Sequence, residues 1–118
     1  MSIITFKEKQ IVIDESWISF FEENQEELSL IESKIGNNFS PKPEDIFKIF
    51  LLPKDQIKTV IIGQDPYPQE GVATGRCFEV LDTDWNKVNK SLKIILRSFY
   101  PVNFRKSKNV FTLRRLKV

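Results

Sequence analysis

Thr59, Val60, Ile61 and Ile62 stand in unbroken succession and run straight into Gly63-Gln64-Asp65-Pro66-Tyr67-Pro68. A half-buried strand alternates apolar with polar side chains, whereas a run that is β-branched at every position offers apolar groups to both faces of a sheet. Residues 58–62 therefore predict a strand covered on both sides, as in the parallel sheets of α/β proteins. Two prolines and a glycine within the next six residues stop that strand abruptly. In open α/β sheets, ligands bind beyond the carboxyl ends of the strands, so chemistry is expected in the residues that follow.

The rest of the chain supplies helices around this strand. Residues 3–13 mix apolar and charged positions and predict an extended arm or a short strand. Ser16 is the expected N-cap of a helix reaching about Lys34, with Trp17, Phe20, Phe21, Leu28, Ile31 and Ile35 at near-helical spacing. Gly36-Asn37-Asn38 ends it. Pro41 and Pro43 open a second short helix with Ile46, Phe47, Ile49 and Phe50 on its apolar face, and Pro53 closes it. Residues 77–81 read as another short strand. Ser91 is the expected cap of a helix with Leu92, Ile95, Leu96 and Phe99 on one face, ended by Pro101. The chain is thus α/β, with only two strands expected, around residues 58–62 and 77–81. Such a sheet is marginal, which predicts more chain, or a partner in the form of a homo-oligomer or a second chain, completing it.

Composition narrows the function. At 118 residues the chain is one domain or part of a larger one. With no histidine in the sequence, histidine acid–base chemistry and histidine metal ligation are excluded. With a single cysteine besides, the chain offers few soft ligands for zinc or copper, and no metal site is expected. That cysteine, Cys77, allows no internal disulfide and suits a reducing, intracellular setting. It falls in the expected second strand, where an inert core thiol is the natural reading. No apolar run approaches the roughly 18 residues of a membrane span, and the first ten residues lack a secretory pattern, so no membrane association is expected.

Charge divides the chain. Residues 1–85 hold 8 Lys/Arg against 16 Asp/Glu, a net −8, and residues 86–118 hold 10 Lys/Arg and no acid. A segment of that sign can bind phosphate through counterion release, or simply neutralise the acidic part of its own molecule. Arg105 to Lys117, with Phe104 and Phe111 interleaved, has the composition of a single-strand-binding segment, of a sheet edge, or of a tail. For Trp85 and Tyr100, packing is a better reading than contact with DNA.

The loop after residue 62 has two readings on its chemistry alone. Gln64 and Asp65 offer polar groups, Pro66 stiffens the turn, and Tyr67 and Phe78 form an aromatic wall that could stack on a flat ring. Equally, Asp65-Pro66 is an ordinary turn with Tyr67 and Phe78 filling a core, which is the commoner case. The sequence VIIGQDPYPQEGVATGRCFEV, residues 60–80, closes the choice, because it resembles the signature of family 1 uracil-DNA glycosylases. There an apolar strand runs into GQDPY and on through small residues to a G-x-C-F strand. The flanking order also matches: Trp17 on an early helix, PEDIFKIF (residues 43–50) like the family's P-x-x-x-I-F segment, and residues 91–96 like its S-L-x-N-I helix.

The resemblance implies a partial three-layer αβα fold with a short, incomplete parallel sheet. Residues 1–100 would form the N-terminal part of the domain and residues 101–118 a basic C-terminal segment. It implies hydrolysis of the N-glycosidic bond of uracil in DNA, a base excision repair activity needing no metal and no cofactor, with uracil-containing DNA as the partner. Localisation would be intracellular: cytoplasmic in a bacterium or phage, cytoplasmic or nuclear for a eukaryotic or viral protein. By motif position, Asp65 orients the attacking water, Gln64 contacts uracil through its backbone, Tyr67 excludes the thymine methyl, and Phe78 stacks on the base. Ser91, with Lys90, grips the DNA backbone.

Three departures accompany the match. Pro68 stands where the family usually has histidine after GQDPY, and Asn89-Lys90-Ser91 stands where it has Pro-Pro-Ser. The family's strand ending in Asn, which reads the uracil edge, and its His-Pro-Ser-Pro loop are absent. Loss of one preorganised donor to a developing anion commonly lowers the rate about 10²–10³-fold. Two accounts follow: a glycosylase-family chain whose activity is weak unless completed, or a non-catalytic homologue acting as a DNA- or protein-binding module.

Overall fold

The computed structural model describes residues 1–81 and 85–99. Two compact units make up the chain, Met1–Cys77 and Phe78–Val118. The expected boundary between residues 100 and 101, Tyr100 and the basic segment lie outside the described residues, as does the side chain of Trp85.

The first unit begins with a hairpin of β1 (Ser2–Phe6) and β2 (Lys9–Ile13), paired antiparallel with Phe6 opposite Lys9 and Ser2 opposite Ile13. Lys7 and Glu8 form its two-residue turn at φ 50° and 62°. Positive φ at both central residues is the turn geometry that matches the twist of paired strands. Strand alternation then sorts the side chains: Phe6, Ile11 and Ile13 are buried, while Ile3 and Val12 on the other face are exposed.

A chain of aromatic rings packs under the buried face. Phe6 meets Phe47 edge-on at 5.0 Å, Phe47 meets Phe21 at 5.5 Å, and Phe21 meets Phe50 at 5.0 Å. Trp17 completes it against Phe50 at 4.8 Å. These T-shaped contacts place ring edges on ring faces, the arrangement favoured by the aromatic quadrupole.

The expected single helix is divided. A 3₁₀ turn (Glu15–Trp17) leads into α1 (Ile18–Glu23), and after a break at Asn24, α2 runs over Gln25–Lys34. The Asn24 amide donates to the Phe20 carbonyl at 2.7 Å, satisfying a backbone acceptor at the break. Gly36, at φ 64°, follows the end of α2. The second expected helix is present as two 3₁₀ turns, Pro43–Asp45 and Lys48–Leu51.

The cap at the helix entry is Asp14 and not Ser16. The Asp14 carboxylate accepts from the Ser16 hydroxyl at 2.7 Å and from the Ser16 amide at 3.0 Å. Ser16 is thereby turned to another use, its Oγ accepting from the Lys54 amide at 2.9 Å. Those two bonds from Ser16, the hydroxyl first, hold the Asp14 carboxyl below the usual aspartate value. A folded-state value below the unfolded one contributes stability above the unfolded value, and that contribution is lost as pH falls through the folded value. Ser16→Ala is expected to move the Asp14 titration upward, toward the ordinary aspartate value, as followed by NMR of its side-chain carboxyl.

The two expected parallel strands do not form. Residues 58–62 take no regular structure, and Val60, Ile61 and Ile62 are 72%, 64% and 89% exposed. The only sheet among the described residues is the two-stranded antiparallel hairpin. A strand apolar on both faces is stabilised by neighbours at both edges and layers above and below, and no described strand pairs with this one. Residues 77–81 also form no strand, for a local reason: Phe78 lies at φ 62°, outside the β region. Cys77 consequently sits exposed in a turn, and the reading of it as a core thiol is overturned.

In the second unit, α3 (Lys90–Phe99) buries Leu92 and Leu96, with Val80 and Val88 also buried. Ser91 is inside the first turn and is not the cap; the Asn89 carbonyl accepts the Lys93 amide at 3.0 Å, so the helix begins two residues earlier than expected. The structure is therefore mixed α/β. No helix among the described residues is long and apolar enough to cross a membrane.

Candidate active site

The chain reaches the candidate loop from a well-tethered segment. The Trp17 indole donates to the Leu52 carbonyl at 2.9 Å, and the Asp14 amide donates to the Phe50 carbonyl at 2.8 Å. The Lys54 ammonium lies 5.2 Å from the centre of the Trp17 ring, a cation–π contact. Together with the Lys54–Ser16 bond, these fix residues 50–54 against the helix entry.

Two glycines tie down the loop itself. A Cβ at Gly63 would stand 2.6 Å from the Cys77 sulfur, so the two ends of the motif lie against each other. A Cβ at Gly75, whose φ is 91°, would fall onto the Asp45 carbonyl oxygen. Only glycine lets the loop backbone sit this close to the first of the two 3₁₀ turns. That turn is in turn pinned by Asp45, whose carboxylate oxygens lie 3.7 Å from Lys42 and Lys48. Neither glycine stood out in the sequence as a positioning residue. Their place at the two ends of a motif rich in small residues was the available signal.

Gly71 provides an internal comparison, since it also has positive φ, 73°, but nothing lies within 4 Å of a Cβ there. Gly71→Ala is expected to cost about 1–2 kcal/mol from left-handed backbone strain alone. Gly75→Ala carries the same strain plus a backbone clash, adding roughly 1–3 kcal/mol. Urea unfolding of the two variants side by side measures the difference.

Between the glycines, Gln64 and Asp65 are exposed and Tyr67 is half-buried. The Asp65 carboxylate has no hydrogen bond or ion pair among the described residues, leaving its oxygens available to water or to a positive centre. Gln64, Asp65 and Tyr67 thus share one anchored loop of the first unit. Phe78, Lys90 and Ser91 belong to the second unit: Phe78 half-buried at positive φ, Lys90 and Ser91 exposed in the first turn of α3. A bulky residue held in the left-handed region is strained, and such strain is commonest at functional positions. Lys87, Lys90, Lys93 and Arg97 make the described part of α3 and its approach uniformly basic.

Comparison with known proteins gives one consistent result. The chain is 40% identical over 106 residues to the uracil-DNA glycosylase of Mycoplasmopsis pulmonis, an alignment covering 82% of this chain and 48% of that protein. It is 36% identical over 76 residues to the uracil-DNA glycosylase of Tropheryma whipplei, covering 58% of this chain and 33% of the other. With the uracil-DNA glycosylase of Corynebacterium efficiens the identity is 45% over 47 residues, 40% of this chain and 20% of the other. No family model matches the chain, and no solved structure matches it. The chain spans about half or less of the length of these curated relatives. Over the part of their length that it matches, the chain belongs to the uracil-DNA glycosylase family.

Proposed function

We propose that this chain supplies the water-orienting part of a uracil-DNA glycosylase site and hydrolyses the N-glycosidic bond of uracil in DNA. The observation that carries the reading is the anchored loop with its free Asp65 carboxylate, in a chain 40% identical to a uracil-DNA glycosylase. In the proposed reaction the bond from the sugar to uracil breaks, uracil leaves with the electron pair, and the sugar becomes cation-like. Asp65 faces that cation and orients the water whose oxygen then bonds to the sugar carbon as it releases a proton, and the uracil anion is protonated in turn. The base is reached only after it is flipped from the stack. Phe78 stacks on its ring, the Gln64 backbone meets its polar edge, and Tyr67 fills the space a thymine methyl would need. Lys90 and Ser91 hold a neighbouring phosphate. No metal or cofactor enters the scheme.

The same reading gives residues 58–62 a purpose. Three exposed aliphatic side chains in a row are a costly surface, roughly 25 cal/mol for each Å² that could be buried. We assign them to a parallel strand of a three-layer αβα sheet whose other strands come from further chain or from a partner. Action on DNA places the molecule inside the cell.

A second reading is favoured by one observation, the lack of any histidine to stabilise the departing uracil anion. In that reading the chain binds DNA through its basic residues and performs no chemistry. Incubation with a uracil-containing single strand separates the two. The first reading predicts free uracil and an abasic site, with nothing released from a thymine-containing strand; DNA binding without release supports the second.

A further inference from the structure

A groove of about 470 Å³ lies in the first unit between β1 and the helices α1 and α2. Its β1 side is lined by the consecutive residues 2–5. A groove over one face of a strand would be lined by alternate residues, so consecutive lining residues mark it as following the strand's edge. In the hairpin, Phe6 and Lys9 flank a two-residue turn and form a hydrogen-bonded pair. Alternation makes Ile4–Ile11 and Ser2–Ile13 bonded pairs as well. The N–H and C=O groups of Ile3 and Thr5 therefore point away from β2, toward the open edge, and no other described strand pairs with them. Across the groove, Ile18, Phe21 and Leu28 provide an apolar lining, and Glu22 and Glu32 provide carboxylates without an ion-pair partner among the described residues.

We propose that this groove binds an extended, basic segment of another protein, which adds to the free edge of β1 as a third strand. Main-chain bonds to Ile3 and Thr5 supply the pairing. Alternation along the added strand lets its aliphatic side chains take the apolar lining while lysines or arginines meet Glu22 and Glu32. Charge selects the partner: residues 18–34 carry Glu22, Glu23, Glu26, Glu27 and Glu32 against the single Lys34, so an acidic strand or a nucleic acid is repelled. A third strand also stabilises a hairpin that is marginal as a pair. This site is separate from the Gln64–Tyr67 loop and does not depend on the glycosylase reading.

The test uses a capped peptide alternating valine and lysine, with the full chain, and two readouts. Fluorescence anisotropy is expected to show binding, and amide hydrogen exchange at Ile3 and Thr5 is expected to slow by roughly tenfold or more in the complex. The same peptide with alternate backbone nitrogens methylated keeps its charge but cannot pair, and is expected not to bind. A valine–glutamate peptide is expected not to bind either. Glu22→Lys with Glu32→Lys is expected to weaken the valine–lysine peptide about tenfold at low salt. Absence of binding, equal binding of the methylated peptide, unchanged exchange at Ile3 and Thr5, or unchanged affinity in the charge-reversed protein would each overturn the proposal.

Discussion

Replacing Asp65 by asparagine is expected to abolish uracil release and to leave DNA binding close to its original strength. Asparagine keeps the size and planarity of the side chain but removes the charge proposed to face the sugar cation and the basic oxygen proposed to orient water. A positioned acid–base group typically contributes 10²–10⁴-fold, and a loss in that range is the expected effect. The fold has no stake in the change, because Asp65 is exposed and its carboxylate makes no bond to the described residues. Binding has little stake either, since phosphate contacts come from cationic and hydroxyl groups. Single-turnover release and anisotropy on one preparation check both halves of the statement. Unchanged turnover would remove Asp65 from the mechanism.

Phe6→Ala is the stability counterpart. The ring is 0% exposed and sits edge-on to Phe47, the first link of the aromatic chain that joins the hairpin to Phe21, Phe50 and Trp17. Truncating a fully buried phenylalanine costs about 3–5 kcal/mol, from lost transfer energy and the cavity left behind. That is a large part of the roughly 5–15 kcal/mol that holds an ordinary domain folded. Because Phe47 lies between the 3₁₀ turns whose Asp45 abuts Gly75, loosening it should also free the candidate loop. Urea unfolding is expected to show a large drop in midpoint for Phe6→Ala. Val12→Ala, on the exposed face of the same hairpin, should change stability by about 0.5 kcal/mol or less.

How far sequence reached depended on whether the relevant contacts were local. The family resemblance was legible because the GQDPY residues are contiguous: Gln64, Asp65 and Tyr67 lie in one loop, so no tertiary contact is needed to recognise the motif. The hairpin was not, because its turn is Lys7-Glu8, and neither residue announces positive φ as Asn-Gly would. At the helix entry two good caps stand two residues apart, and only the Lys54 amide, 38 residues from Ser16, decides that Ser16 faces elsewhere. The most instructive difference is at residues 58–62. Their composition states what environment would suit them, a sheet layered on both sides, but composition cannot supply the neighbouring strands. The amphipathic helix near Ser91 was legible to within two residues, since its apolar spacing is a property of the segment itself.

The central claim is that this chain performs Asp65-dependent chemistry on uracil in DNA, and the direct measurement is single-turnover uracil release by the unaltered chain at saturating DNA occupancy. The account predicts slow release that exceeds the Asp65→Asn background, the slowness reflecting the anion-stabilising donor that the sequence lacks. Release equal to that of Asp65→Asn, with salt-sensitive binding to the same strand intact, would contradict it and leave a DNA-binding module in its place.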